Sequence, residues 1–116
     1  MDVPLQITFR HMEPLPALEA QIRQRAEELD RFSDRITSCH VVVECRNPRH
    51  HQGNLFEIRI NLNVPGAEIV VGHDPGANHA HEDAHVAVRD AFDAVRRQLE
   101  DHVREYRGDR HVTDPN

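Results

Sequence analysis

The sequence predicts an α+β domain of order β-α-β-β-β-α, a four-stranded mixed sheet with two helices packed on one face. Three observations carry this. Residues 16–32 and 82–107 space their apolar side chains three and four apart, the repeat of an amphipathic helix. Four shorter stretches alternate apolar and polar residues or run rich in Val and Ile, as half-buried strands do. The connections agree: a helix between the first two strands demands a parallel pair, and the later strands can hairpin back antiparallel.

Leu5-Gln6-Ile7-Thr8-Phe9 is the first alternating run, and residues 10–13 lead out of it. Pro14 and Pro16 suit the start of a helix, where a missing N–H costs nothing. Leu18, Ile22, Ala26, Leu29 and Phe32 then form one apolar face, with Glu19, Arg23, Glu27, Asp30 and Arg31 elsewhere, and the helix ends near Ser33. Residues 36–45 read as a strand that turns Cys39, Val41, Val43 and Cys45 inward and Ser38, His40, Val42 and Glu44 outward.

Residues 46–53 are a polar connection full of breakers. Phe56, Ile58, Ile60, Leu62 and Val64 alternate with Glu57, Arg59, Asn61 and Asn63, the cleanest period-two run in the chain. Pro65-Gly66 signals a turn, and residues 67–72 supply a fourth strand. Residues 73–81, broken by Asp74-Pro75-Gly76, are a loop. The long helix follows, with Val88, Phe92, Val95, Leu99, Val103 and Tyr106 on its buried stripe, and Gly108 stands where it would stop. Residues 1–108 therefore read as a single domain and 109–116 as a short polar C-terminal tail. Both helices would cover one sheet face, leaving Gln6, Thr8, Glu44, Glu57, Arg59 and Asn61 wet on the other.

Composition limits the function. A chain of 116 residues with 38% hydrophobic and 29% charged residues has room for one core and one domain. Its formal net charge of −6 argues against a uniformly positive surface, and all its basic residues other than His are Arg. Four Phe, one Tyr and no Trp leave little for base stacking. No apolar run approaches the roughly 18 residues of a spanning helix, and the first residues lack the pattern of a signal peptide. A cytoplasmic protein with no membrane partner is expected. Cys39 and Cys45, six apart in one strand, lie about 20 Å apart and are expected as buried free thiols.

The order and spacing of several segments resemble the ribosome hibernation-promoting factors and ribosome-associated translation inhibitors of bacteria. Leu5-Gln6-Ile7-Thr8, then Leu29-Asp30-Arg31-Phe32-Ser33-Asp34-Arg35-Ile36, is similar to that family's first strand and helix-to-strand junction. Glu82-Asp83-Ala84-His85-Val86-Ala87-Val88, Ala91-Phe92-Asp93 and Arg97-Gln98-Leu99 resemble its last helix. The resemblance implies a fold similar to double-stranded-RNA-binding domains, in the short form of the family. It also implies binding to the small ribosomal subunit and its rRNA, blocking the mRNA and tRNA channel, with no catalysis, no cofactor and no small-molecule substrate.

On that reading the RNA-binding candidates are Arg23, Arg46, Arg49, Arg89, Arg96, Arg97 and Arg104. Arginine forks grip phosphate, and the helix spacing aligns Arg89, Arg96 and Arg107, with Arg97 and Arg104 a little to one side. Arg46, Arg49, His50 and His51 form a basic connection with no acid among them. Against this, residues 83–110 hold six Arg and seven Asp or Glu. Pairs four apart, Arg89–Asp93, Asp93–Arg97, Arg96–Glu100 and Glu100–Arg104, could satisfy the arginines internally. The alternative function is therefore a regulatory protein-interaction domain of the same fold that does not bind rRNA.

His81 and His85, four apart, would share a helix face and could hold Zn or Ni with a third ligand. But His73, His79, His81 and His85 with Asp74, Glu82 and Asp83 match no known metal-site spacing, so no metal is expected there and a metal-responsive module stands only as a third reading. Neither serine nor cysteine sits beside a base in a nucleophile's spacing, so an enzyme is not expected. The oligomeric state is open.

Overall fold

The computed structural model describes residues 4–33, 35–46, 55–72 and 83–113, with side chains described through Arg104 in the last helix and not at Arg46. Its elements run β1 Leu5–Arg10, α1 Pro16–Phe32, β2 Ser38–Arg46, β3 Leu55–Val64, β4 Ala67–Val71 and α2 Ala84–Thr113. The sheet order is β1-β2-β3-β4. β1 pairs parallel with β2, while β2–β3 and β3–β4 are antiparallel. This is the expected α+β architecture. α2 lies over β3 and β4, α1 lies toward β1, and the helices touch each other.

The core sits between the helices and one sheet face. Cys39, Val41, Val43, Ile58, Ile60, Leu62 and Val64 supply the sheet side, with Leu18, Ile22, Ala26 and Leu29 from α1 and Val88, Phe92, Val95 and Leu99 from α2. Alternation explains the strands, since every second residue must leave water. Leu5, Ile7 and Phe9 are only half-buried because β1 is an edge strand. Ala84, Ala87 and Ala91 let α2 approach the sheet closely. Pro65 and Gly66 make the β3–β4 turn, with Gly66 at φ 81 as a type II turn requires. Gly72 closes β4 at φ 80, where a Cβ would lie 2.1 Å from the Ile58 carbonyl oxygen, so only glycine fits.

The structure differs from the sequence reading at three places. Ile36 is buried but precedes β2, which begins at Ser38. The hydrogen bond from Thr37 N–H to the Asn63 carbonyl, 2.8 Å, brings this segment onto the sheet before strand pairing starts. Phe32 is 40% exposed, unlike the other members of its stripe. At about 100° per residue it stands at the stripe's edge, on the last residue of α1, where the helix ends before the sheet covers it. Finally α2 continues through Gly108 to Thr113. Glycine in a helix costs about 1 kcal/mol against alanine and ends it only when the chain needs a left-handed turn there.

Candidate nucleic-acid interface

The outer surface of the two helices gathers the described arginine candidates. α2 begins where the Asp83 carboxylate accepts the backbone N–H groups of His85 at 2.9 Å and Val86 at 3.4 Å, satisfying donors that have no partner within the helix. Gln21 on α1 ties this end down. Its Nε2 donates to the His85 carbonyl at 3.0 Å, and its Oε1 accepts from His85 Nδ1. The two helices therefore present one layer, with a fixed relation between Arg23 on α1 and the arginines of α2.

Arg89, Arg96, Arg97 and Arg104 are all exposed, as is Arg23. Most have a carboxylate at hand. Arg23 pairs with Glu19 at 3.0 Å, Arg89 with Asp90 at 3.3 Å, Arg96 with Glu100 at 3.3 Å and Arg104 with Asp101 at 3.8 Å. Of the four pairs expected along α2, only Arg96–Glu100 forms as drawn. The short Asp93 side chain joins neither Arg89 nor Arg97; it lines the groove between the helices together with Arg25, Glu28, Leu29, Phe92 and Arg96. Among the described residues, Arg97 has no ion pair, which makes it the least neutralised of the described arginines of α2. Surface pairs of this kind contribute only about 0.2–1 kcal/mol, so the paired arginines can exchange a carboxylate for a phosphate at small cost.

Phe32 adds a feature the sequence reading placed in the core. The Arg96 guanidinium lies 5.4 Å from its ring centroid, a cation–π contact between the end of α1 and the middle of α2. This holds Arg96 beside the groove that Arg25 enters from α1. No sequence period links residues 64 apart, so that contact was legible only after the helices were placed side by side.

The remaining candidates fall elsewhere. Arg46 ends β2, and its side chain, like Arg49, His50 and His51, lies outside the described residues. The same holds for residues 73–82, which carry most of the His cluster. Its two described members are engaged: Asp83 caps α2 and His85 binds Gln21. Among the described residues no three His, Cys, Asp or Glu converge as metal ligands.

Fold and surface together define an α+β domain that displays an arginine-bearing helix layer above a four-stranded sheet. Residues 5–107 match the sequence model of the family described as Sigma 54 modulation protein / S30EA ribosomal protein, and the chain belongs to that family. It is 29% identical over 94 residues to a ribosome hibernation promotion factor of Deinococcus radiodurans, covering 81% of this chain and 46% of the relative. It is 30% identical over 98 residues to a ribosome hibernation promoting factor of Azotobacter vinelandii, covering 84% of this chain and 80% of that one. The chain thus spans under half the length of the first relative and most of the second.

Solved structures share the fold. A ribosomal subunit interface protein from Coxiella burnetii superimposes with a TM-score of 0.68 at 16% identity, covering 86% of this chain and 97% of that one. The N-terminal domain of Protein Y from Thermus thermophilus gives 0.61 at 18% identity, covering 88% and 99%.

Proposed function

We propose that this protein is a ribosome-associated hibernation factor that docks its helix layer on small-subunit rRNA and blocks the mRNA and tRNA channel. The observation that carries the reading is the family match, which covers α1 and most of α2 and includes every described arginine candidate. In this reading Arg97 and Arg96 meet phosphate first, with Arg89, Arg104 and Arg23 around them and Arg46 and Arg49 as further contacts. Phosphate neutralisation by these forks supplies the affinity, and the protein acts by occupying space, with no catalytic step. The site of action is the cytoplasm, where ribosomes are; among the described residues no helix is long and apolar enough to cross a membrane.

Sedimentation with small subunits at low and high salt tests it. The protein is expected to co-sediment at low salt and to be released as salt rises; no co-sedimentation at either would remove the reading. Arg96→Glu combined with Arg97→Glu is expected to abolish binding while leaving the fold intact, since both side chains are exposed.

A second reading rests on the acid count of α2 and on the carboxylates beside Arg89, Arg96 and Arg104. On it the domain keeps the fold and binds a protein instead of rRNA. Unchanged subunit binding by the double Glu variant, with the subunit contact resistant to ribonuclease, would favour it.

A further inference from the structure

The sheet face turned away from the helices carries a constellation that the helix layer does not use. Strand register sets Gln6 beside His40, His40 opposite Asn61 and Asn61 opposite Val70. The next row is Thr8, Val42 and Arg59. Thr8, Arg10, His40, Arg59 and Asn61 line one shallow concavity across the strands, together with the Glu68 carboxylate and the apolar Val42 and Val70. Within it, Thr8 Oγ1 and His40 Nε2 lie 3.0 Å apart, and Asn61 Nδ2 donates to Glu68 Oε2 at 3.0 Å.

Charge on this face is unevenly answered. Glu44 lies 3.6 Å from His11, Glu68 is held by Asn61, and Glu57 has a partner of its own. Among the described residues, neither Arg10 nor Arg59 has an ion pair. Arg59 is half-buried, and its Nε is covered without any hydrogen-bond acceptor. A guanidinium with an unmet donor, sharing a concavity with a second unpaired guanidinium, is a site for an anion.

The surroundings restrict which anion. Glu44 and Glu57 share a cross-strand row with Arg10, and Glu68 lines the concavity, so a strand of successive phosphodiesters crossing the face would meet all three carboxylates. A single phosphate group need not cross the face, and the one carboxylate that lines the concavity, Glu68, is already held by Asn61. Val42 and Val70, at the centre and at the β4 side, offer apolar surface for whatever the anion is attached to.

We propose that the open sheet face binds a small phosphate monoester. Arg59 and Arg10 grip the phosphate oxygens, Thr8 and His40 orient it, and Val42 and Val70 contact its organic part. Drawing the Arg59 fork outward onto the phosphate gives Nε the acceptor it lacks. The site is independent of the helix layer and lies on the opposite side of the sheet from the proposed rRNA contacts.

Amide-resolved NMR titration of the full chain with inorganic phosphate, adenosine monophosphate and adenosine tests this. Saturable shifts are expected at Thr8, His40, Val42, Arg59 and Asn61 with the first two, tighter for the monophosphate, and none with adenosine. Arg59→Gln is expected to weaken binding by about tenfold or more. Arg10→Gln, at an exposed position, is expected to weaken it as well. The Arg96→Glu, Arg97→Glu variant should bind the monophosphate unchanged, whatever its fate on ribosomes. Shifts that do not saturate, that spread over the helices, or that survive both Arg59→Gln and Arg10→Gln overturn the proposal. So does an oligonucleotide without a terminal phosphate that saturates the same residues, which would make the face an RNA surface.

Discussion

Cys39 shows how far one residue's chemistry follows from its strand position. It is 2% exposed, on the inward face of β2, and burial pushes its thiol from 9.0 up to about 11. The thiolate is the form that burial disfavours, so the folded state holds the proton more tightly than the unfolded chain. This stabilisation is complete below pH 9.0 and is lost as pH rises toward 11. Its size is about 2–3 kcal/mol from two pH units. In urea unfolding at a series of pH values, the wild type is expected to lose stability relative to Cys39→Val above pH 9.0. Parallel curves would show that Cys39 does not titrate this way. The period-two pattern made the burial of Cys39 and Cys45 legible. The same pattern puts Arg59 on the wet face but cannot show that its Nε is covered, because that depends on which side chains stand on the neighbouring strands.

Among elements, α2 shows where local signals succeed and fail. Its stripe predicted the buried Val88, Phe92, Val95 and Leu99, because an apolar row at helical spacing has one way to leave water. Its ends were less legible. Asp83 is a preferred N-cap type, and its carboxylate does cap the helix, but the sequence signal was diluted by the acidic and histidine-rich residues before it. Asp83→Ala is expected to destabilise the domain by about 0.5–2 kcal/mol, read as a lower urea midpoint with unchanged slope. Asp83→Asn should recover most of the loss, since an amide oxygen accepts the same N–H groups. A midpoint unmoved in the alanine variant would show that the Gln21–His85 clamp holds the helix start without the cap. That clamp joins residues 64 apart, beyond the reach of any local pattern. The far end at Thr113 was misread at Gly108 because glycine is common after helices without forbidding their continuation.

At the scale of the whole molecule, the fold was legible because alternation and helical stripes are statements about one shared core, whereas the interface depends on which charges neutralise which. A chain of net charge −6 would gain little from its overall field in approaching RNA, so under the proposed function its affinity would have to come from local contacts. Of the arginines described on the helix layer, five are the candidate phosphate contacts, Arg23, Arg89, Arg96, Arg97 and Arg104, and four of these five have a carboxylate partner. If all five meet phosphate, the logarithm of the binding constant falls with the logarithm of salt with a slope of about −4. Removing one phosphate contact reduces that slope by about 1. Arg97→Ala should show the full reduction and the largest loss of affinity, because Arg97 gives up no ion pair on binding. Arg104→Ala should show the same change in slope with a smaller loss, since Arg104 must first leave Asp101. Equilibrium binding to small subunits over a salt series separates the two quantities. A slope near zero, or an Arg97 variant indistinguishable from wild type, would mean that the helix layer is not the surface that meets rRNA.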